Sequence, residues 1–170
     1  LEFRRVLFRS STLPTSALFY VGQAAGGSLT NKLNDRYIAY LWAEIPGFSK
    51  FGSLTGNLST DGPAVITGFR PRWILIKKIN AGSTGGGTTS DWWIWDTTRN
   101  TYNVMNSVLY ANLSDAEYSD SSTFLLDVLS NGFKVRNSNA TVNANGHNYI
   151  YCAWAEAPTI NLYGAQANAR

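Results

Sequence analysis

The residues with the most evident chemical potential lie in one run, Asp91-Trp92-Trp93-Ile94-Trp95-Asp96. Two carboxylates bracket it, as an acid–base pair would bracket a glycosidic bond. In an extended strand five residues span roughly 17 Å, and odd and even side chains point to opposite faces. Glycosidase carboxylates must flank one bond within about 5 to 10 Å, so the spacing argues against that chemistry. Alternation instead places Asp91, Trp93 and Trp95 on one face and Trp92, Ile94 and Asp96 on the other. Two readings stay open. Flat aromatic surface beside carboxylates suits stacking on sugar rings or an oligomer interface, whereas tryptophan buried on both faces is core. Trp92, Trp93, Trp95, Asp91 and Asp96 are therefore the candidate glycan- or interface-binding residues.

Other candidates are weaker. Cys152 is the only cysteine and His147 the only histidine. Five residues apart at the start of an extended strand, they do not face each other as a dyad, so Cys152 reads as a small buried hydrophobe. The glycine-rich loop 80–90 lacks the Gly-Lys-Ser/Thr ending of a phosphate cradle, and no helical pattern follows it. It reads as a hairpin connection. Asn57, Asn112 and Asn139 each open an Asn-x-Ser/Thr triplet, which in a chain this rich in those residues is attributed to chance. Neither a metal-ligating cluster nor a convergent nucleophile–base set emerges, so no catalytic residue, metal or cofactor is assigned.

The elements that must position these side chains are organised around a repeated phrase. Residues 37–46 read YIAYLWAEIP and residues 149–158 read YIYCAWAEAP, with six of ten positions identical. A Phe-x-Val precedes each, at Phe19 and Phe133. Internal repetition points to tandem units. Residues 47–158 are expected to form one complete unit, residues 11–46 the closing part of a preceding one, and residues 159–170 a tail. The recurring Tyr37, Trp42 and Glu44, matched by Tyr149, Trp154 and Glu156, are assigned folding roles. Matching positions in tandem units argue for structure, with the glutamates accepting backbone donors where the strand ends. The first ten residues, LEFRRVLFRS, share no composition with the rest and are read as a sequence artefact.

Composition agrees with strands. Charged residues make up 15% and aromatics 14%, with 15 glycines, a balance that favours strands joined by turns. The net charge is +3, but residues 1–10 carry three of the arginines. The rest of the chain is close to neutral, so no nucleic-acid partner is inferred. No apolar run approaches a membrane helix, and no membrane insertion is expected. Strands are anticipated over 17–22 and 37–44, near 50–56, over 73–79, 91–96, 124–129, 132–136 and 149–156, with 101–110 undecided. The loop 111–122 is expected to hold at most one helical turn. Asn131-Gly132 and Asn145-Gly146 are hairpin signals. Short strands closed by Gly and Asn turns spell an all-β, antiparallel sandwich, jelly-roll-like.

The ordered set GFSKFGSLTGN, DGPAVITGFRPRWILIKK, DWWIWDTTRNTYNV, FLLDVLSNGFKVRN, YIYCAWAEAP and NLYGAQANAR resembles an uncharacterised repeat domain. That domain occurs near the C-termini of tail-fibre-like proteins of tailed phages, often after a laminin-G-like jelly roll. The resemblance spans roughly residues 17–170. It implies a virion-associated, non-enzymatic β-protein whose partners are upstream fibre domains and a host-surface glycan or receptor. Fibres of this kind are commonly trimeric, so a homotrimer is among the expectations. A polysaccharide-degrading hydrolase domain and a purely structural fibre spacer are the alternatives.

Overall fold

The structure, a computed structural model, describes Thr15, residues 17–19, residues 34–79 and residues 91–156. The chain divides into two units, residues 1–43 and 44–170. In the first, the Thr15 hydroxyl accepts the amides of Ala17 and Leu18, and residues 35–43 are irregular.

The second unit is an antiparallel sandwich. Its elements are β1 (Ser49–Thr55), β2 (Ala64–Ile66), β3 (Pro71–Lys78), β4 (Trp92–Asp96), β5 (Ser107–Tyr110), β6 (Tyr118–Ser119), β7 (Leu126–Leu129), β8 (Gly132–Val135), the short helix α1 (Ala140–Asn143) and β9 (Asn148–Ala155). Six strands form one sheet in the order β1-β9-β3-β4-β5-β6, and three form the other in the order β2-β8-β7. Every strand pair is antiparallel.

Alternation along each strand builds the core. Tyr149, Tyr151, Ala153 and Ala155 of β9 join Ile74 and Ile76 of β3, Trp93 and Trp95 of β4, and Val108 of β5. Val65, Leu126, Val128 and Phe133 meet them from the smaller sheet, and the Phe133 and Tyr151 rings stand edge to face, 5.4 Å apart. Each of the large aliphatic side chains and Phe133 contributes roughly 1.5–3 kcal/mol through burial. Close packing dictates two glycines. A Cβ on Gly52 would lie 2.7 Å from the Tyr151 hydroxyl, and one on Gly132 would lie 1.9 Å from the Val65 carbonyl oxygen.

The ends of the sandwich are tied by buried amides. Asn143, with no exposed surface, accepts the Asn57 amide N–H at 2.9 Å. Its Nδ2 donates to Asn57 Oδ1, to the Ser59 carbonyl and to the Asn137 carbonyl. Asn139 caps α1 by accepting from the Thr141 amide, and the Tyr149 hydroxyl accepts the Ala144 amide at 2.9 Å. Sheet edges are closed in the same way. Glu44 Oε1 accepts the Phe51 amide on the outer edge of β1. Asn103 mimics a strand on β7, donating to the Val128 carbonyl and accepting its amide. Such edge protection limits uncontrolled strand pairing.

The all-β sandwich expected from the sequence is the fold observed, and most of the anticipated strands of residues 49–156 are present. Three expectations are corrected. Residues 37–44, expected as a strand buried on both sides, are irregular, and the side chains of Tyr37, Ile38, Tyr40, Leu41 and Trp42 are exposed. The matching segment in β9 is a strand paired along both edges, with β1 and with β3, and hydrophobic alternation alone does not fix such pairing. Residues 17–19 are likewise not strand, while 20–22 lie outside the described residues. The helical turn looked for in 111–122 forms instead at 140–143, nucleated by the Asn139 cap; residues 118–119 pair as β6. The segments 1–10, 80–90 and 157–170 also lie outside the described residues.

Asn143→Ala removes four side-chain bonds, to Asn57, Ser59 and buried Asn137. It is expected to lower unfolding free energy by about 2–4 kcal/mol, measured by urea denaturation at constant slope.

Candidate functional site

The outward face of the six-stranded sheet carries three cross-strand rows, each fixed by register. Ser49, Trp154, Trp73 and Asp96 form the first. Phe51, Cys152, Leu75, Ile94 and Leu109 form the second. Ser53, Ile150, Lys77 and Trp92 form the third. Leu75 and Ile150 are buried, whereas Phe51, Trp73, Trp92, Ile94 and Trp154 are half-buried. The Trp154 ring lies between two other rings. It stands edge-on to Phe51, 5.2 Å between centroids, and to Trp73, 5.0 Å. Three adjacent strands thus contribute one aromatic ring each to a continuous surface.

Charged groups border these rings. Arg72 Nη1 meets Glu156 Oε1 at 2.5 Å where β3 begins and β9 ends. Asp96, beside Trp73, accepts the amides of Thr98 and Arg99 and the Arg99 Nε at 2.5 Å. Burial opposes ionisation of Asp96, but the Arg99 amide and guanidinium outweigh it and hold its carboxyl below the usual range. Arg99 reaches on to Glu117 at 2.6 Å. In the third row the Lys77 ammonium lies 5.5 Å from the centre of the Trp92 ring, a contact worth about 0.5–1 kcal/mol where solvent reaches it.

The aromatic run found in the sequence is split by the sheet. Trp93 and Trp95 are 0% and 1% exposed, so neither presents a ring to a ligand, and as stacking residues they are corrected to core. The reason is register: β4 pairs with β3 and β5 so that both rings face the smaller sheet. Trp92 faces outward, with one cation already near its ring. Asp91 is buried and accepts from Asn112 Nδ2 at 3.0 Å, while the Trp92 amide donates to Asn112 Oδ1. Asp91 and Asp96 each have a local hydrogen-bonding partner.

Sequence reasoning missed Phe51 and Trp73 and saw Trp154 only as a structural repeat. The alternation of Trp73, Leu75 and Lys77 was the available signal; the register that sets three rings side by side was not. Of the repeated glutamates, Glu44 accepts a backbone amide from Phe51 and pairs with Lys50 at 3.1 Å, whereas Glu156 pairs with Arg72. Asn57 and Asn112, two of the triplet asparagines, spend their Nδ2 groups on Asp61 and Asp91.

Other groups offer little chemistry. Burial pushes the Cys152 thiol up to about 12, which makes it a poor nucleophile at neutral pH. A cleft lined by Glu44, Ser49, Lys50, Thr67 and Gly68 opens between β1 and the loop after β2. There the Ser49 hydroxyl accepts the Ile45 amide and Thr67 donates to the Phe69 carbonyl. Among the described residues no cluster of three or more His, Cys, Asp or Glu side chains could hold a metal, and no helix is long and apolar enough to cross a membrane.

A family model described as a domain of unknown function (DUF7483) matches residues 4–158, and the chain belongs to that family. No match to the chain was found among curated proteins or solved structures.

Two outcomes check this account of the face. Trp93→Ala or Trp95→Ala should cost about 3–5 kcal/mol of stability, and Trp92→Ala less than about 1.5 kcal/mol, measured by chemical denaturation. Native Cys152, with its thiol near 12 against 9 for an unperturbed group, should hold about a thousandfold less thiolate than unfolded chain at pH 8. Disulfide-exchange labelling should therefore be slow until denaturant is added.

Proposed function

We propose that this member of the family is a non-enzymatic module of a phage tail-fibre-like virion protein. It contributes structure to the fibre and recognises a host-surface glycan through the outward face of its six-stranded sheet. The observation that carries the reading is the contiguous set Phe51, Trp154 and Trp73, one ring from each of three neighbouring strands. Half-buried rings bordered by Asp96–Arg99 and Arg72–Glu156 combine a flat apolar patch with fixed hydrogen-bonding groups. That combination suits pyranose rings, which have one apolar face and a rim of hydroxyls. The ordered motifs that resemble the C-terminal repeat of phage fibre proteins support the virion setting. Against a hydrolase stand the Cys152 thiol, pushed up by burial, and the two carboxylates of the tryptophan run, already engaged by Asn112 and by Arg99.

Glycan-array binding by the full chain, with Trp73→Ala and Trp92→Ala beside it, tests the reading. Binding lost in folded Trp73→Ala and kept in Trp92→Ala is the expected result. No binding by the well-folded chain would replace recognition with a spacer role, and release of reducing ends from a bound polysaccharide would replace it with hydrolysis.

A further inference from the structure

β2 is an outer strand of the smaller sheet, and β8 is its partner among the described strands. The Pro63 carbonyl accepts the Val135 amide at 3.1 Å, and the Thr67 amide donates to the Asn131 carbonyl at 2.9 Å. In the observed register, residues 63, 65 and 67 therefore turn their main-chain groups toward β8, and Ala64 and Ile66 direct their N–H and C=O groups to the free edge. Among the described residues those groups have no hydrogen-bond partner. Both residues are exposed, Ile66 by 61%, while Val65 between them is buried in the core. The other edges are treated differently. Glu44 accepts a main-chain amide on β1, Asn103 takes both groups of Val128 on β7, and β6 is only two residues long. An edge with unmet donors and acceptors is a template for another strand.

We propose that the free edge of β2 is a self-association edge, and that its occupant is β2 of a second copy of this chain. The two strands pair antiparallel about a two-fold axis at Val65. The argument is the match between hydrogen-bond direction and symmetry. With Val65 opposite Val65, Ala64 of each copy stands opposite Ile66 of the other. These are the residues whose main-chain groups face the edge, so every donor and acceptor there is met. A shift of one residue would set an edge-facing residue against one already bonded to β8. The side chains fit the same register. Large, exposed Ile66 meets small Ala64, and Lys134 of that copy lies next in line across the sheet. A lysine stem covers apolar surface while its ammonium stays outside, and here Asp61 holds the ammonium at 2.6 Å. Charge is distributed to suit the axis. Asp61, Lys134, Arg136 and Asp127 form one ion-paired group on the Ala64 side of the outer face. The two-fold sets that side against the uncharged Ile66, Gly132 and Leu129 of the other copy, so like charges do not meet. The inference stands independently of the glycan reading, because it uses none of the rings on the six-stranded sheet.

Sedimentation velocity of the full chain over a rising concentration series is the direct test, and a dimer is the expected product. Ile66→Lys puts an ammonium beside Lys134 of the other copy and should weaken dimerisation about tenfold or more. The denaturation midpoint should stay where it is, because the residue is exposed. Register is read by oxidation in a Cys152→Ala background. Opposed residues of a hydrogen-bonded pair have Cα atoms about 5.5 Å apart, within the span of a disulfide. Chains carrying Ala64→Cys should crosslink to chains carrying Ile66→Cys, and neither should crosslink to its own kind, whose cysteines stand two residues out of line. A chain that stays monomeric throughout, forms a trimer, or dimerises equally well with Ile66→Lys overturns the proposal. Crosslinking of Ala64→Cys to itself overturns the register.

Discussion

β9 lies between β1 and β3, and main-chain pairing along both of its edges is the constraint on which the rest of the sandwich depends. The pairing fixes register with both neighbours at once. Because side chains alternate with a period of two, a one-residue slip on either side would carry every apolar group to the wrong face. In the observed register Tyr149, Tyr151, Ala153 and Ala155 point into the core, and Ile150, Cys152 and Trp154 point outward. One strand therefore serves as the centre of the hydrophobic core and the centre of the outward aromatic surface.

Both faces of β9 work by matching large groups to small ones. Tyr151 occupies the space left by Gly52 on β1 and meets Phe133 from the opposite sheet. On the outer side Trp154 fits between Phe51 and Trp73, with small Ser49 and Cys152 as its neighbours in the register. The large sheet is thus apolar on both sides, unlike an antiparallel sheet with one solvated face. A protein surface keeps such a patch at a cost in solubility, and apolar patches of this sort mark contact with another molecule.

Buried amides cluster at the ends of the sheets. Asn143, Asn137 and the Tyr149 hydroxyl satisfy backbone groups of the loops that connect strands, and Asn103 and Glu44 satisfy strand edges. These are amide and carboxylate groups standing in for missing strand partners. They account for part of the unusual asparagine content. Asn57 and Asn112, which the sequence offers as sites for modification, have structural tasks in the same class.

What the sequence determined by itself was local: alternation, turn chemistry and a repeated phrase. Hydrophobic period and Asn-Gly turns located β3, β4, β7, β8 and β9, and alternation correctly separated Trp93 and Trp95 from Trp92. Only the tertiary structure decided which face of each strand was core, because that depends on the order β1-β9-β3-β4 and not on any one segment. For the same reason the aromatic surface centres on Phe51, Trp154 and Trp73, whose rings are distant in sequence and adjacent through register. The clearest demonstration is the repeat. Residues 37–44 and 149–156 share five of eight residues, yet the second lies almost wholly in β9 and the first is irregular. A strand's hydrogen bonds are made to other strands, so its sequence states a capacity for pairing and the surrounding structure decides the register and the face that is buried.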